Sequence, residues 1–305
     1  MNQSVLEPNG AEAERIADLA LMLFGGAAII FFGVMALAAA SVWGGVSVRR
    51  AIASERMIVA AGIAFPVITL TALLFYSLWL MRANIQGNAT PPAGRIEVAA
   101  EQWWWRITYV EPDGRRISEA NELRLPVGRE VELVLTSPDV IHSLWIPAIG
   151  GKLDMIPGRT NRMRVSIDGP GIYRGQCAEY CGGPHALMAF DVIALEATEF
   201  DAWVRGDVAG GSTETVRGRG IFEESGCGSC HAVRGANASG LVGPDLSRVG
   251  GRRTIAAGTL PTSRENLTRF IVDGQSIKPG NLMPPFGLFA AEDVDAISAY
   301  LMSLQ

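Results

Sequence analysis

The sequence predicts a membrane-anchored chain built from three structural classes: a two-helix transmembrane hairpin, a β-sandwich and a small all-α domain. Three observations predict it. The 305 residues are 49% hydrophobic and 19% charged, too apolar for an ordinary soluble domain and too charged for a purely membrane bundle. Both uncharged stretches of about 25 residues fall before Arg82. Beyond Arg82 the apolar residues first alternate and then, after residue 216, recur at helical spacing.

From Leu19 to Trp43 and from Met57 to Met81 no charged residue occurs, and about 20 helical residues suffice to cross the hydrocarbon core. A cleaved signal peptide is the alternative for the first run, but its flank (Glu7, Glu12, Glu14, Arg15) is acidic and the run exceeds an h-region. Gly62 and Pro66 interrupt the second run, which suggests packing against a partner subunit. The loop between the runs holds Arg49, Arg50 and Arg56 against Glu55. The positive-inside bias puts that loop in the cytoplasm and both termini outside.

From Arg95 the pattern has period two (Ile96, Val98, then TYV, LRLPV, VELVL, MRVSI, DVIAL), with Gly, Pro and Asp between the runs, as in a β-sandwich. Gly206 to Val216 (GDVAGGSTETV) is small and polar and reads as a linker. The chain ends in AEDVDAISAYLMSLQ, whose Val294, Ile297, Tyr300 and Leu301 share a helix face. The expected segments are 1–16, an external N-terminal stretch; 17–82, the helical hairpin; 83–205, the sandwich; 206–216, the linker; and 217–305, the helical domain.

The net charge of −5 and the absence of a basic stripe argue against a nucleic-acid binder. Residues 83–210 carry 12 Lys and Arg against 17 Asp and Glu, whereas residues 211–305 carry 9 of each. The acidic excess of the sandwich is either a solvated surface or a docking face for a basic protein.

All four cysteines and all three histidines fall in two clusters. The first is GIYRGQCAEYCGGPHALMAF, with Cys177, Cys181, His185 and Met188, joined by His142 from DVIHSLWIP. Soft thiolates, imidazoles and a thioether select copper. Two cysteines four residues apart can each bridge two ions, so a dinuclear thiolate-bridged centre for electron transfer fills the set naturally. A Cys2His2 zinc site and a Cys177–Cys181 disulfide are the alternatives; zinc leaves Met188 without a role, and the disulfide leaves His142, His185 and Met188 without one. The second cluster is CGSCH, the haem attachment pentapeptide: Cys227 and Cys230 add to the vinyl groups and His231 binds iron. Met283, held in the rigid NLMPPFG loop, is the candidate sixth ligand, and Met302 on the last helix reads as core. Met/His ligation leaves no vacant position, which suits electron transfer. Pro244 offers a carbonyl to orient the His231 ring. Finally, Trp103, Trp104 and Trp105 follow Gln102, and on a strand they would alternate faces; an indole over the copper loop could carry electrons inward.

Two N-terminal spans, QWWW, VIHS, GKLDMIPGR and GQCAEYCGGPHALM together resemble subunit II of haem-copper cytochrome c oxidases, in the form with a C-terminal cytochrome c domain. The resemblance covers nearly the whole chain. It implies a cupredoxin-like sandwich followed by a class I-like cytochrome c domain, in a two-pass protein of the bacterial plasma membrane with both redox domains on the periplasmic side. It implies a dinuclear CuA centre with Cys177 and Cys181 bridging, His142 and His185 terminal, Met188 weakly axial and the Glu179 carbonyl as the remaining ligand. The Glu179 side chain would contribute to a magnesium site shared with subunit I, and Trp103 would be the residue at which electrons enter. The implied partners are subunit I, which reduces oxygen and pumps protons, subunit III, membrane lipid, and cytochrome c or a respiratory complex as donor. Family members often carry a carboxylate inside the second span; here only Glu55, outside the run, is present, so a proton-channel role for it does not carry over. The quinol-oxidising relatives lack these copper ligands. A copper-containing nitric oxide reductase subunit is the nearest rival, and a zinc-holding structural protein without haem is the rival from another class.

Overall fold

The computed structural model describes residues 3–86, 91–206 and 215–305. Most of the expected linker, 207–214, and the stretch 87–90 before the sandwich lie outside the described residues. The chain forms two compact units, residues 17–91 and residues 1–16 with 92–305.

The smaller unit is helical. Helix α1 (Ala11–Trp43) carries the first uncharged run and starts six residues before the expected hairpin boundary. Its opening Glu12 and Glu14 look like a polar flank in hydropathy, yet carboxylates favour the positive end of a helix dipole. Two short helices follow, α2 (Val46–Ile52) and α3 (Glu55–Val59), the latter capped by the Ser54 hydroxyl, which accepts from Met57 N–H. A single π-turn, Ala60–Ala64, then leads into α4 (Phe65–Gln86). Pro66 explains the widened turn: it has no N–H to offer the Gly62 carbonyl, and its ring would strike that carbonyl in a regular α-helix. The two spans, Ala11–Trp43 and Glu55–Leu80, have a hydropathy of 2.4 and expose apolar side chains such as Phe24, Ile29, Val67 and Leu74. Helices that are apolar all round belong in lipid.

The larger unit begins with a β-sandwich of ten strands: β1 (Gly94–Glu101), β2 (Trp104–Val110), β3 (Arg116–Ala120), β4 (Glu122–Pro126), β5 (Val131–Thr136), β6 (His142–Trp145), β7 (Leu153–Met155), β8 (Asn161–Val165), β9 (Gly171–Cys177) and β10 (Ala189–Leu195). One sheet runs β3-β2-β1-β5-β8 and the other β4-β10-β9-β6-β7. The alternation of β1 buries Ile96, Val98 and Ala100 and turns Arg95 and Glu97 outward, and the inner faces meet in a core where Trp105 stacks at a tilt on Phe190, 4.9 Å between centroids. The chain changes sheets at Asn121, in the left-handed region with φ 60°. Its side-chain oxygen accepts from Trp105 N–H at 2.9 Å, the local bond that lets asparagine adopt this conformation.

The structure corrects the expectation that the three tryptophans lie on one strand. Glu101 pairs with Trp104, so Gln102 and Trp103 form the turn between β1 and β2. Only Trp104 and Trp105 alternate: Trp105 is buried, while Trp104 lies under the Arg106 guanidinium, 4.6 Å from the ring centre. Trp103 is thereby released from the pleat.

After α5 (Ala197–Arg205), whose Trp203 packs edge-on against Tyr109, the helical domain comprises α6 (Val216–Glu224), a small hairpin of β11 (Thr254–Ile255) and β12 (Leu260–Pro261), α7 (Arg264–Ile277) and α8 (Ala291–Ser303). Helices α6 and α8 cross closely at Gly218, where a Cβ would come within 2.0 Å of the Ala296 carbonyl. Phe222, Leu267, Ile271, Ile297 and Leu301 form its core.

This domain sits directly on the sandwich. Arg248 and Arg252 converge on Glu119 of β3 at 3.3 and 3.2 Å, all three side chains buried. Arg253 N–H donates to Glu122 and the Thr254 hydroxyl to Asp191, at 2.9 and 3.0 Å. Part of the sandwich's acidic excess is therefore a seat for the chain's own C-terminal domain.

Candidate metal centre and haem cavity

The first cluster is assembled from two places in one sheet. His142 opens β6 and Cys177 closes β9; the loop after Cys177 contains a 3-10 turn, Gly183–Leu187, and returns to β10 at Ala189. Two main-chain bonds close it, Cys177 N–H to the Met188 carbonyl at 2.9 Å and Ala178 N–H to the Ser143 carbonyl at 3.0 Å. The donors converge. The Cys177 and Cys181 sulfurs lie 3.8 Å apart and are both free thiols, well beyond the ~2.05 Å of a disulfide. Around Cys177 stand His142 Nδ1 at 3.8 Å and the Glu179 carbonyl at 3.2 Å; around Cys181 stand His185 Nδ1 at 3.4 Å and Met188 Sδ at 3.9 Å. His142, Cys177 and Cys181 are buried and hold their ligand atoms within 4.8 Å of one another.

Electrostatics divide the two sulfurs. The hydrogen bond from the Cys181 thiol, with those of His142, the Glu179 region and Ser143, holds Cys177 far below the usual thiol range against the pull of burial, while the same pairing and burial push Cys181 up. The pairing thus favours a thiolate at Cys177 beside a thiol at Cys181, and a soft cation is well suited to such sulfurs. Burial lowers His142, but the Cys177 sulfur and Asp139 outweigh it and hold the imidazole above its ordinary value. Asp139 Oδ1 is 2.9 Å from His142 Nε2 and also accepts from Val140 N–H, and its other oxygen accepts from Gln102 N–H at 2.6 Å. A carboxylate on the far nitrogen fixes the ring so that Nδ1 faces the ligand position. Glu179 turns its side chain outward to Lys152 Nζ at 3.0 Å.

Trp103 lies over this loop. Its indole N–H donates to the Cys181 carbonyl at 2.9 Å, and Gln102 Nε2 donates to the same oxygen at 2.7 Å. Gly182 permits the approach: its φ is 115°, and a Cβ there would stand 3.0 Å from the Trp103 ring. Asp139 and Gln102 escape sequence reasoning. The signal for Asp139 was its place three residues before His142; Gln102 had none beyond adjacency to Trp103.

The second cluster lines a cavity of about 460 Å³ containing Cys227, Cys230, His231, Pro244 and Met283, walled by apolar residues such as Phe222, Leu267 and Phe286. Gly243 lies against the His231 ring, where a Cβ would be 2.6 Å from Cε1. Nδ1 is 2.8 Å from the Pro244 carbonyl. Burial, opposed by this bond, sets the ring below its usual pKa; a neutral ring that donates from Nδ1 keeps Nε2 as a ligand atom. Met302 is half-buried and packs with the core of this domain.

A flat apolar cofactor joined through two thiols fits this cavity, and a soft metal fits the sulfur-rich loop. Among curated proteins, cytochrome c oxidase subunit 2 of Alkalihalophilus pseudofirmus is 36% identical across 100% of this chain and 91% of its own length. This chain belongs to the cytochrome c oxidase subunit II family. The subunit of Bacillus subtilis is 30% identical over 99% of this chain and 92% of its own. By segment, residues 107–196 match the family "Cytochrome C oxidase subunit II, periplasmic domain" and residues 215–305 match "Cytochrome c". A crystal structure of the periplasmic domain of subunit II from Bradyrhizobium japonicum is 30% identical and covers 38% of this chain and 93% of its own, with a TM-score of 0.36. As a subunit II chain with a cytochrome c domain, the molecule combines two apolar helices, a cupredoxin-like sandwich and a helical haem domain, and its two domains imply copper and haem.

Proposed function

We propose that this chain is the subunit through which electrons enter a respiratory cytochrome c oxidase of the bacterial plasma membrane, with both redox domains on the periplasmic side. It takes electrons from cytochrome c or a respiratory complex and hands them to subunit I, which reduces oxygen; subunit III and lipid complete its surroundings. The observation that carries this reading is the contact between the two sites: Trp103 bonds to the Cys181 carbonyl on one side, and on the other Gly280, in the loop leading to Met283, comes within 3.3 Å of the ring if given a Cβ.

Cys227 and Cys230 would hold haem c covalently, with His231 and Met283 as axial ligands and Pro244 orienting the histidine. His142, Cys177, the Glu179 carbonyl, Cys181, His185 and Met188 would hold a dinuclear CuA centre, and the Glu179 carboxylate would contribute to a magnesium site. When bound, the two groups would supply one-electron redox chemistry. The protein's part is to keep the pair of sites dry and rigid: the apolar walls exclude water from the haem, Pro244 and Asp139 fix the two imidazoles, and the loop bonds of Cys177 and Ala178 keep the sulfurs together.

Electron paramagnetic resonance on the full-length, copper-loaded protein tests the metal assignment. One unpaired electron shared equally by two copper nuclei supports it; a single-copper pattern, or zinc in the metal analysis, overturns it. For the haem, Met283→Ala should leave the cofactor attached and lower its potential, and an unchanged potential would remove Met283 from the ligand set.

A further inference from the structure

The chain contains only two lysines, Lys152 and Lys278, and they occupy opposite environments. Lys152 is about half-exposed, between Asp154 and Glu179. Lys278 is 3% exposed, and among the described residues it forms no ion pair. Its ammonium donates to three main-chain carbonyls, Trp103 at 2.5 Å, Leu187 at 2.9 Å and Ala256 at 3.1 Å. Three N–H donors meet three acceptors, so the group is saturated. Burial pushes its pKa down to about 7, opposed by the Cys181 sulfur. Three carbonyls are the set that an ammonium satisfies, whereas a neutral amine would present a lone pair to one of them. A cation desolvated without a counter-ion is expensive to keep, which directs attention to what its three acceptors have in common.

They belong to the three parts that an electron must cross between. Trp103 is in the turn over the copper loop. Leu187 directly precedes Met188. Ala256 lies in the haem domain's own β11–β12 turn. Lys278 itself ends α7, with its N–H on the Gly274 carbonyl at 2.8 Å, and starts the segment that carries Met283. That segment is braced: Asn281 Nδ2 donates to the Lys278 carbonyl at 2.8 Å, Met283 N–H donates to Asn281 Oδ1 at 2.9 Å, and Gln275 accepts from Gly280 N–H at 2.9 Å. Pinning one end of such a segment pins the other.

We propose that Lys278 is a positioning residue for electron transfer, a buried latch whose ammonium ties the Met283-bearing loop of the haem domain to the main chain of Trp103 and to the copper-ligand loop. The inference rests on the electron-input reading above. Tunnelling rates fall exponentially with separation, so a latch that holds Trp103, the copper-ligand loop and the Met283 segment together governs the rate directly. The Glu119 seat keeps the domain on the sandwich; Lys278 sets its register at the gap.

Two measurements test this on the protein as it exists. In native full-length protein treated with an amine-acylating reagent, Lys152 should be modified and Lys278 spared; modification of Lys278 at the rate of Lys152 would overturn the latch whatever the cofactors do. In the intact oxidase, photoreduction of the haem followed by its transfer to copper should be slowed about tenfold or more by Lys278→Met, while both potentials and the donor-to-haem step stay at wild-type values. An unchanged transfer rate would overturn the positioning role. If Lys278→Met does not assemble, Asn281→Ala, at a half-buried position in the brace, decides: a slower transfer at unchanged potentials upholds the proposal, and wild-type transfer defeats it. Absence of haem-to-copper transfer in the wild-type enzyme would instead defeat the electron-input reading, and leave the acylation result to stand by itself.

Discussion

The two candidate sites are built on opposite plans. In the copper loop the ligands are brought together by the protein alone: sulfurs, imidazoles and a carbonyl lie 3.2–3.8 Å apart across Cys177 and Cys181, and main-chain bonds to Ser143 of β6 and to Met188, just before β10, close the loop. In the haem domain the His231 ring is fixed by its bond to the Pro244 carbonyl, and the Met283 loop is braced through Asn281. The rest is an apolar shell around a cavity, and such a shell gains its packing when a large cofactor fills it. The difference teaches that a small ion with directional ligands needs a rigid template beforehand, while a large hydrophobic group supplies the core of the domain that binds it.

The largest break in that comparison comes from Cys181→Ser. It removes the sulfur that faces both His185 and Met188 and should abolish the dinuclear signal in electron paramagnetic resonance while donor reduction of the haem proceeds. Survival of the signal would refute the bridging role. Next is the seat between the domains. Glu119→Ala leaves Arg248 and Arg252 buried without their carboxylate, a loss of about 3–5 kcal/mol for a broken buried pair. Calorimetry should show the haem domain melting separately from the sandwich, and a single transition in the wild type. Gly243→Ala tests the haem side alone. Its methyl must displace the His231 ring or the 243–244 backbone, costing about 1–3 kcal/mol, and should shift the haem absorption bands with no change at copper. The smallest effect is expected from Ser263→Ala, which removes the cap that accepts from Asn266 N–H at 3.1 Å at the start of α7. About 1 kcal/mol of haem-domain stability should be lost, read as a lower midpoint in denaturant, with both metal signatures intact.

Much of this was legible before any coordinates. Cys177, Cys181, His185 and Met188 lie within twelve residues, and CGSCH within five, so local spacing alone announces them. The uncharged runs announce the two spans for the same reason: lipid imposes a condition on every successive residue. What was not legible joins distant positions. Lys278 meets Trp103 across 175 residues and Arg252 meets Glu119 across 133, and no periodicity registers such pairs. The expectation that Trp103 shares a strand with Trp104 and Trp105 failed for a different reason. Period-two reasoning assumes that a strand continues, and here the turn between β1 and β2 falls inside the aromatic run, where nothing in QWWW resembles a glycine- or asparagine-bearing turn. The π-turn before Pro66 was half-visible: the proline marked an interruption, and only the backbone showed how the helix absorbs it.

The burial of Glu119 between two arginines has a consequence for how the protein responds to ions in its surroundings. At physiological ionic strength charges exposed to water are screened over about 8 Å, but a pair sealed from solvent is nearly immune. The arrival of any charged soluble donor at the haem domain is governed by surface fields and slows as salt rises. The union of that domain with the sandwich is not. On the proposed electron route, ionic strength should therefore act as a dial that turns the intermolecular half and leaves the intramolecular half where it was.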